Sequence, residues 1–293
     1  APVMSISVRP ASNPDSEKMM AALHHLADED PTFVVSVDEE TSETILSGMG
    51  ELHLEVLVER MKREYGIVAT VGRPEVAYRE TATLITEGQY KHIKQTGGRG
   101  QYGHVVLKLE PMDAGRGFSF VTEVKGGRIP SEYIPSVEKG VIKAMAKGPY
   151  AAYPVVDMRV TVTDGTYHDV DSSEFAFTEA ARVCFRTLFL KGHPVLLEPV
   201  MSIEVSMPEE FMGPVAGSIC QRRGRIESMD DVGDLKVVSG MVPLSEMFGY
   251  SNTIRTITSG RGSFTMHFER YEAVPFAIAE EVVKKRREAN LIR

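Results

Sequence analysis

Met4, Ile6 and Val8 alternate with Ser5 and Ser7 near the start of the chain. That is the period of two shown by a half-buried strand. Pro14-Asp15-Ser16 reads as a helix start, and Met20, Leu23 and Leu26 follow at helical spacing. Residues 32–37 are β-rich, and 44–46 begin a short strand that ends at Gly48. Leu52, Val56, Leu57 and Met61 return to helical spacing until Gly66, and 67–71 close the unit. The predicted order is strand, helix, strand, strand, helix, strand. It recurs at the other end of the chain. Residues 201–205 alternate, Pro208 opens a helix with Val215 and Ile219, and Gly224 ends it. Residues 225–229 and 235–238 pair around Val232-Gly233-Asp234, Pro243 starts a second helix, and 263–268 form the closing strand. Two βαββαβ units of a size suited to the split-βαβ, ferredoxin-like sandwich therefore flank a different middle. There, several strands over 78–124 precede a helix after Pro135, a strand over 155–162, a loop over 163–170 and a long helix over 172–190. The segment 274–287 reads as a final helix with a basic end. The expected class is α+β with three domains, 1–76, 77–197 and 198–293. Pro74 and Pro199 sit beside the joints, where linkers and separate cores are expected.

Composition adds limits. The 293 residues are 42% hydrophobic and 25% charged, ordinary for a globular protein. No apolar run reaches the roughly eighteen residues of a membrane span. Ala1-Pro2-Val3 opens neither a basic nor an apolar leader region. The strand pattern starts without an initiator Met, as expected of a chain cut from a longer protein. Cys184 and Cys220 both fall in helical stretches and are expected to be buried free thiols in a reducing compartment, the cytoplasm or an organelle matrix. The net charge of −8 argues against non-specific coating of nucleic acid. The charge is uneven, however. The first segment carries 14 acidic residues against 6 basic ones, and the middle carries 13 against 15.

The chain contains no phosphate-binding P-loop, no H-E-x-x-H, no paired C-x-x-C and no G-x-S-x-G. His24 and His25 are neighbours whose side chains diverge by about 100° on a helix, so they cannot share a metal. No catalytic residue and no metal site are expected. Gly48-Met49-Gly50 reads as a tight strand-to-helix turn. Gly97, Gly98, Arg99, Gly100 and Gln101 form a glycine-rich hairpin loop, with Lys91, His92, Lys94 and His104 on its flanks. Such a segment suits a plain loop or an RNA contact, and both readings stand at this point. In the run 164–174, Asp171 can cap a helix with Glu174 as its partner. Capping does not require Tyr167, His168, Asp169 or Val170. An aromatic ring and a histidine there can stack on, and bond to, nucleotides. Arg222, Arg223 and Arg225 make a short basic cluster at a helix-to-strand turn, a modest candidate for ribosomal RNA contact. Lys284, Lys285, Arg286 and Arg287 can complement a helix dipole.

Five segments together resemble elongation factor G: residues 26–33, 48–55, 97–104, 167–174 and 243–250. They are long, ordered and spread over nearly the whole chain. The resemblance spans what that family calls domains III, IV and V, and it implies a middle domain like domain 2 of ribosomal protein S5. It further implies that GTP and Mg²⁺ belong to a GTPase domain outside this chain, so no cofactor is expected here. The implied partners are the ribosome, through its RNA, its proteins and the transfer RNA–messenger RNA pair, and the missing GTPase domain. No membrane partner is implied, and a monomer is expected. Gly97, Gly98, Arg99, Gly100 and Gln101, with Tyr167, His168, Asp169 and Val170, match the family's tip, which holds the transfer RNA–messenger RNA pair as it moves. A ribosome-recycling paralogue shares this architecture. A free-standing RNA-binding module without a GTPase is the alternative from another class.

Overall fold

In the computed structural model of the chain, residues 2, 4–11, 15–37, 44–72, 75–95, 100–289 and 291 are described. Strand β1 (Met4–Pro10) buries Met4, Ile6 and Val8 on one face, as its alternation requires. Helix α1 (Asp15–Glu29) buries Met19, Leu23 and Leu26. Strands β2 (Val34–Val37) and β3 (Thr44–Gly48) are followed by α2 (Glu51–Tyr65), which buries Leu54, Leu57 and Met61, and by β4 (Ala69–Val71). The sheet order is β2-β3-β1-β4, with β1 antiparallel to both neighbours, and β5 (Glu75–Val76) also pairs with β1. This is the predicted split-βαβ arrangement.

The middle begins with β6 (Arg79–Ala82), β7 (Thr86–Lys94), β8 (Gln101–Pro111) and β9 (Phe118–Thr122). Then come α3 (Ile134–Ala146), β10 (Met158–Thr166) and α4 (Glu174–Lys191). Strand β8 is antiparallel to β7 and β10, while β9 is parallel to β10, giving the order β7-β8-β10-β9. Val105, Leu107 and Leu109 share a sheet face with Met158, Val160 and Val162. Against that face the helices bring Val137, Val141 and Ala144, and Phe177, Ala181, Phe185 and Leu188, each at helical spacing. Each large side chain so buried contributes about 1.5–3 kcal/mol relative to exposure. Thr166 lies opposite His104, so β10 ends beside the start of β8, and the loops after β7 and β10 leave the sheet at one end.

Strand β11 (Pro194–Met207) pairs first with β6 and then with the last sheet. Helix α5 (Met212–Gln221), β12 (Arg225–Val232), β13 (Leu235–Pro243), α6 (Tyr250–Ile257) and β14 (Ser263–Ala273) complete a second βαββαβ unit, ordered β12-β13-β11-β14. Single 3-10 turns at Glu209–Phe211 and Leu244–Glu246 precede the two helices, where the sequence reading began the helices themselves. Helix α7 (Phe276–Glu288) follows.

Three expectations are corrected: the linker at the second joint, the place of the final helix and the burial of Cys220. The joint placed near residue 197 falls inside the continuous strand β11, where Pro199 is buried, so no linker lies there. Pro74 lies outside the described residues. Contacts change unit at 77/78 and 197/198, beside the expected limits, and group 1–77 with 198–272 and 78–197 with 273–293. Buried residues of the first and third segments form one apolar cluster. The final helix, assigned with the third segment, groups with the middle. Ala279 and Val283 pack with Ala151 and Leu196, and Arg286 lies 4.1 Å from the Tyr153 ring centroid. Cys184 is buried as expected, and burial pushes its thiol up to about 12, whereas Cys220 is exposed.

Candidate nucleic-acid interface

At the end of the middle sheet, two loops are bonded into one surface. Tyr102, second residue of β8, donates its backbone N–H to Asp171 O (2.8 Å). Its own carbonyl accepts from Ser172 Oγ (3.0 Å). Ser172 Oγ in turn accepts from the His168 backbone N–H (2.9 Å). Gly100, the first described residue after the glycine-rich turn, donates its N–H to Asp171 Oδ1 (3.1 Å). The Tyr102 hydroxyl shares a 2.6 Å bond with Thr166 Oγ1, and its ring lies 6.2 Å from that of His168. Thr166 Oγ1 also meets His104 Nδ1 (2.9 Å), whose Nε2 meets Gln89 Oε1 (2.8 Å). Gln101 Oε1 meets His92 Nε2 at 2.9 Å. These bonds tie the 167–173 loop to the sheet.

Gly103 is what lets α4 come so close. A Cβ there would stand 2.7 Å from the backbone of Ala176, nearer than any side chain can sit. Helix α4 starts from Ser173, whose hydroxyl accepts from the Ala176 N–H (3.2 Å). The sequence reading gave that cap to Asp171. In the structure the Asp171 carboxylate is used by the glycine hairpin instead, because a residue two places earlier is too far from the first helical turn.

His168 is half exposed, at 54% of its side-chain surface. Its Nδ1 accepts from the backbone N–H groups of Val170 (3.3 Å) and Asp171 (3.2 Å). Asp171 Oδ2 lies 3.6 Å from the same nitrogen, and in the neutral ring that accepts the two N–H groups Nε2 is the donor. Tyr167 and Val170 are exposed beside it, as is Asp169. The structure thus brings together Gly100, Gln101, Tyr167, His168, Asp169 and Val170. Gly97, Gly98 and Arg99 lie outside the described residues. Sequence reasoning passed over Tyr102, Thr166 and Ser172, which make the junction. Tyr102 and Thr166 stand at strand ends and Ser172 just before α4, places where polar residues have many uses.

The basic cluster lies elsewhere, in the other unit. Arg223 reaches Glu198 through both terminal nitrogens (2.7 and 2.9 Å) and Glu246 through Nε (2.8 Å). Arg222 donates to Glu246 O and Thr253 Oγ1, and its Cζ lies 5.0 Å from the Tyr250 ring centroid. Arg225 is exposed and pairs with Glu272 (2.8 Å). Two of the three guanidinium groups therefore have folding duties.

Among the described residues, no group of three or more His, Cys, Asp or Glu is placed to hold a metal ion. No helix there is long and apolar enough to cross a membrane. Models of one family match nearly the whole chain in three consecutive pieces. "Elongation Factor G, domain III" matches 1–73, "Elongation factor G, domain IV" matches 74–193, and "Elongation factor G C-terminus" matches 195–282. A crystal structure of a Thermus thermophilus protein is similar over 98% of this chain, with 40% identity and a TM-score of 0.79. The chain spans 43% of the length of that protein.

Proposed function

This chain belongs to the elongation factor G family as its C-terminal part, and from that membership we propose that it is the ribosome-contacting portion of a GTP-hydrolysing translocase. In this reading the middle unit carries the end that holds the transfer RNA–messenger RNA pair. GTP and Mg²⁺ belong to a domain outside this chain, and the chain itself performs no covalent step. The observation that carries the reading is the joined pair of loops. A glycine hairpin and the loop before a helix are bonded to each other by backbone and Ser172. Between them they present an exposed His168 with an Nε2–H donor. A donor held on a stiff loop can bond to a base or a ribose without first paying to order itself. The partners in this reading are ribosomal RNA, ribosomal proteins and the paired transfer and messenger RNAs. The working place is wherever ribosomes translate, in cytoplasm or organelle.

The test uses an elongation factor G that carries this chain as its C-terminal part. His168→Ala should slow transfer RNA–messenger RNA movement by tenfold or more, about 1.4 kcal/mol in barrier, and leave ribosome-stimulated GTP hydrolysis within about twofold. Unchanged movement would remove the assignment of His168. Loss of both activities together would point to a folding role instead.

A further inference from the structure

The sequence reading singled out two loops at the end of the middle sheet. The topology puts a third one there. Strand β9 runs parallel to β10, with Thr122 beside Val162 and the Glu123 N–H bonded to Val162 O (2.9 Å). The segment 123–128 therefore leaves the sheet at the end where β10 leads on to His168. Ile129, next along, packs against Gly165: its Cδ1 would lie 2.5 Å from a Cβ at that glycine. Asp164 is four residues before His168, at most about 13 Å along an extended strand.

The loop reads Glu123-Val124-Lys125-Gly126-Gly127-Arg128. Gly126 and Gly127 both have left-handed backbones (φ 65° and 67°), and a Cβ at either would meet nothing within 4 Å. Their glycines thus serve conformation, and the backbone between two cations is left uncovered. Lys125 is exposed, and no ion pair among the described residues engages its charge. Among the described residues Arg128 pairs with Asp164 through Nε (3.0 Å to Oδ1), and its terminal nitrogens face no acceptor there. Asp164 Oδ1 also accepts the Gly165 N–H (2.8 Å), so this carboxylate is occupied at both of these contacts. Glu123, Lys125, Arg128, Thr163 and Asp164 line an open cleft of about 690 Å³. Thr163 is the extra residue where the β8–β10 register shifts between Val162 and Asp164, a bulge that breaks the strand's alternation at the cleft.

We infer that the 123–128 loop is a third RNA-binding element, in which Lys125 and Arg128 take a backbone phosphate of the RNA. The inference rests on the reading of this end of the molecule as ribosome-facing. It adds a contact of a different kind. His168 offers a neutral donor suited to a base or sugar, whereas Lys125 and Arg128 offer charge and a planar fork suited to phosphate. Asp164 fixes the Arg128 fork in advance. Glu123 is the opposing charge and weakens the site.

The test is equilibrium binding of the full 293-residue chain to a fluorescently labelled RNA stem–loop, read as a function of KCl. Losing one phosphate contact flattens the plot of log K against log salt by about 0.7–0.9, so the double variant Lys125→Ala/Arg128→Ala, which removes that contact, should flatten it by about that much. Glu123→Gln should tighten binding with the slope unchanged or steeper. His168→Ala should weaken binding with less change in slope than the double variant, because its contact is to a base or sugar rather than to a phosphate. All three variants alter exposed loops, and circular dichroism checks that the fold is kept. A double variant that binds with the same affinity and slope as the unaltered chain overturns the inference while leaving the His168 reading intact. No binding by the unaltered chain, even at low salt, counts against the ribosome-facing reading and takes this inference with it.

Discussion

Arg223 and Arg225 are two residues apart and look alike in the sequence, yet their surroundings give them opposite roles. Arg223 has a left-handed backbone (φ 57°) and points its guanidinium at Glu198, which is 2% exposed. Removing it would strand a buried carboxylate. Arg223→Ala should therefore cost about 3–5 kcal/mol in urea unfolding. Arg225, 61% exposed, should cost no more than about 0.5 kcal/mol when replaced by Ala. Equal costs for the two variants would sink this reading of the cluster. His104 is a second case where burial decides. It is enclosed between Thr166 and Gln89, with Lys91, Arg128 and Asp164 as its charged neighbours. Burial, helped by Lys91, holds its imidazole below the usual 6.5. A base with a lowered folded pKa stays neutral while the unfolded chain takes up a proton. Its contribution is complete above pH 6.5 and is lost as the pH falls from there towards the folded value. The unfolding midpoint should drop as the pH falls below about 6.5, and His104→Gln should remove that part of the drop. A variant that keeps the same pH slope would show that another group is responsible.

At the scale of elements, the tip depends on where α4 begins. Ser173 caps it, Gly103 lets it lie against β8, and Asp171 is thereby freed to hold Gly100. Gly103→Ala would push a Cβ into the Ala176 backbone, an overpacking that costs about 1–3 kcal/mol. Because the displaced turn adjoins the 167–173 loop, the variant should also shift the His168 ring signals in an NMR spectrum at a temperature where the chain is fully folded. Unmoved His168 signals would mean that the loop is positioned without α4. The helices and strands themselves were legible in the sequence because periodicity depends only on the chain's own spacing. Their caps were less so. Asp171 and Ser173 are both good capping residues, and only the path of the preceding strand selects between them.

For the whole molecule, the expectation that follows from the absent phosphate loop is simple. Equilibrium titration with a labelled GTP analogue should give no saturable micromolar binding to this chain, since its sequence carries no phosphate-binding P-loop. Saturable binding would overturn the proposal that the GTPase lies outside it. The amino-acid sequence determined the two βαββαβ units, the sheet-and-helix middle and the family to which the chain belongs. Alternation and helical spacing are local, and the 97–104 and 167–174 motifs are read one residue at a time. It did not determine how many cores these units make. The merging of buried residues from the first and third segments, and the transfer of α7 to the middle, depend on which apolar surfaces meet after folding. Nor did it separate Arg223 from Arg225, or reveal that Tyr102 and Ser172 join the two loops. The partners concerned lie more than twenty residues apart in the chain, and the third loop at 123–128 reaches the same end only because β9 is parallel to β10. Such neighbours are set by strand order and direction, which the tertiary structure alone decides.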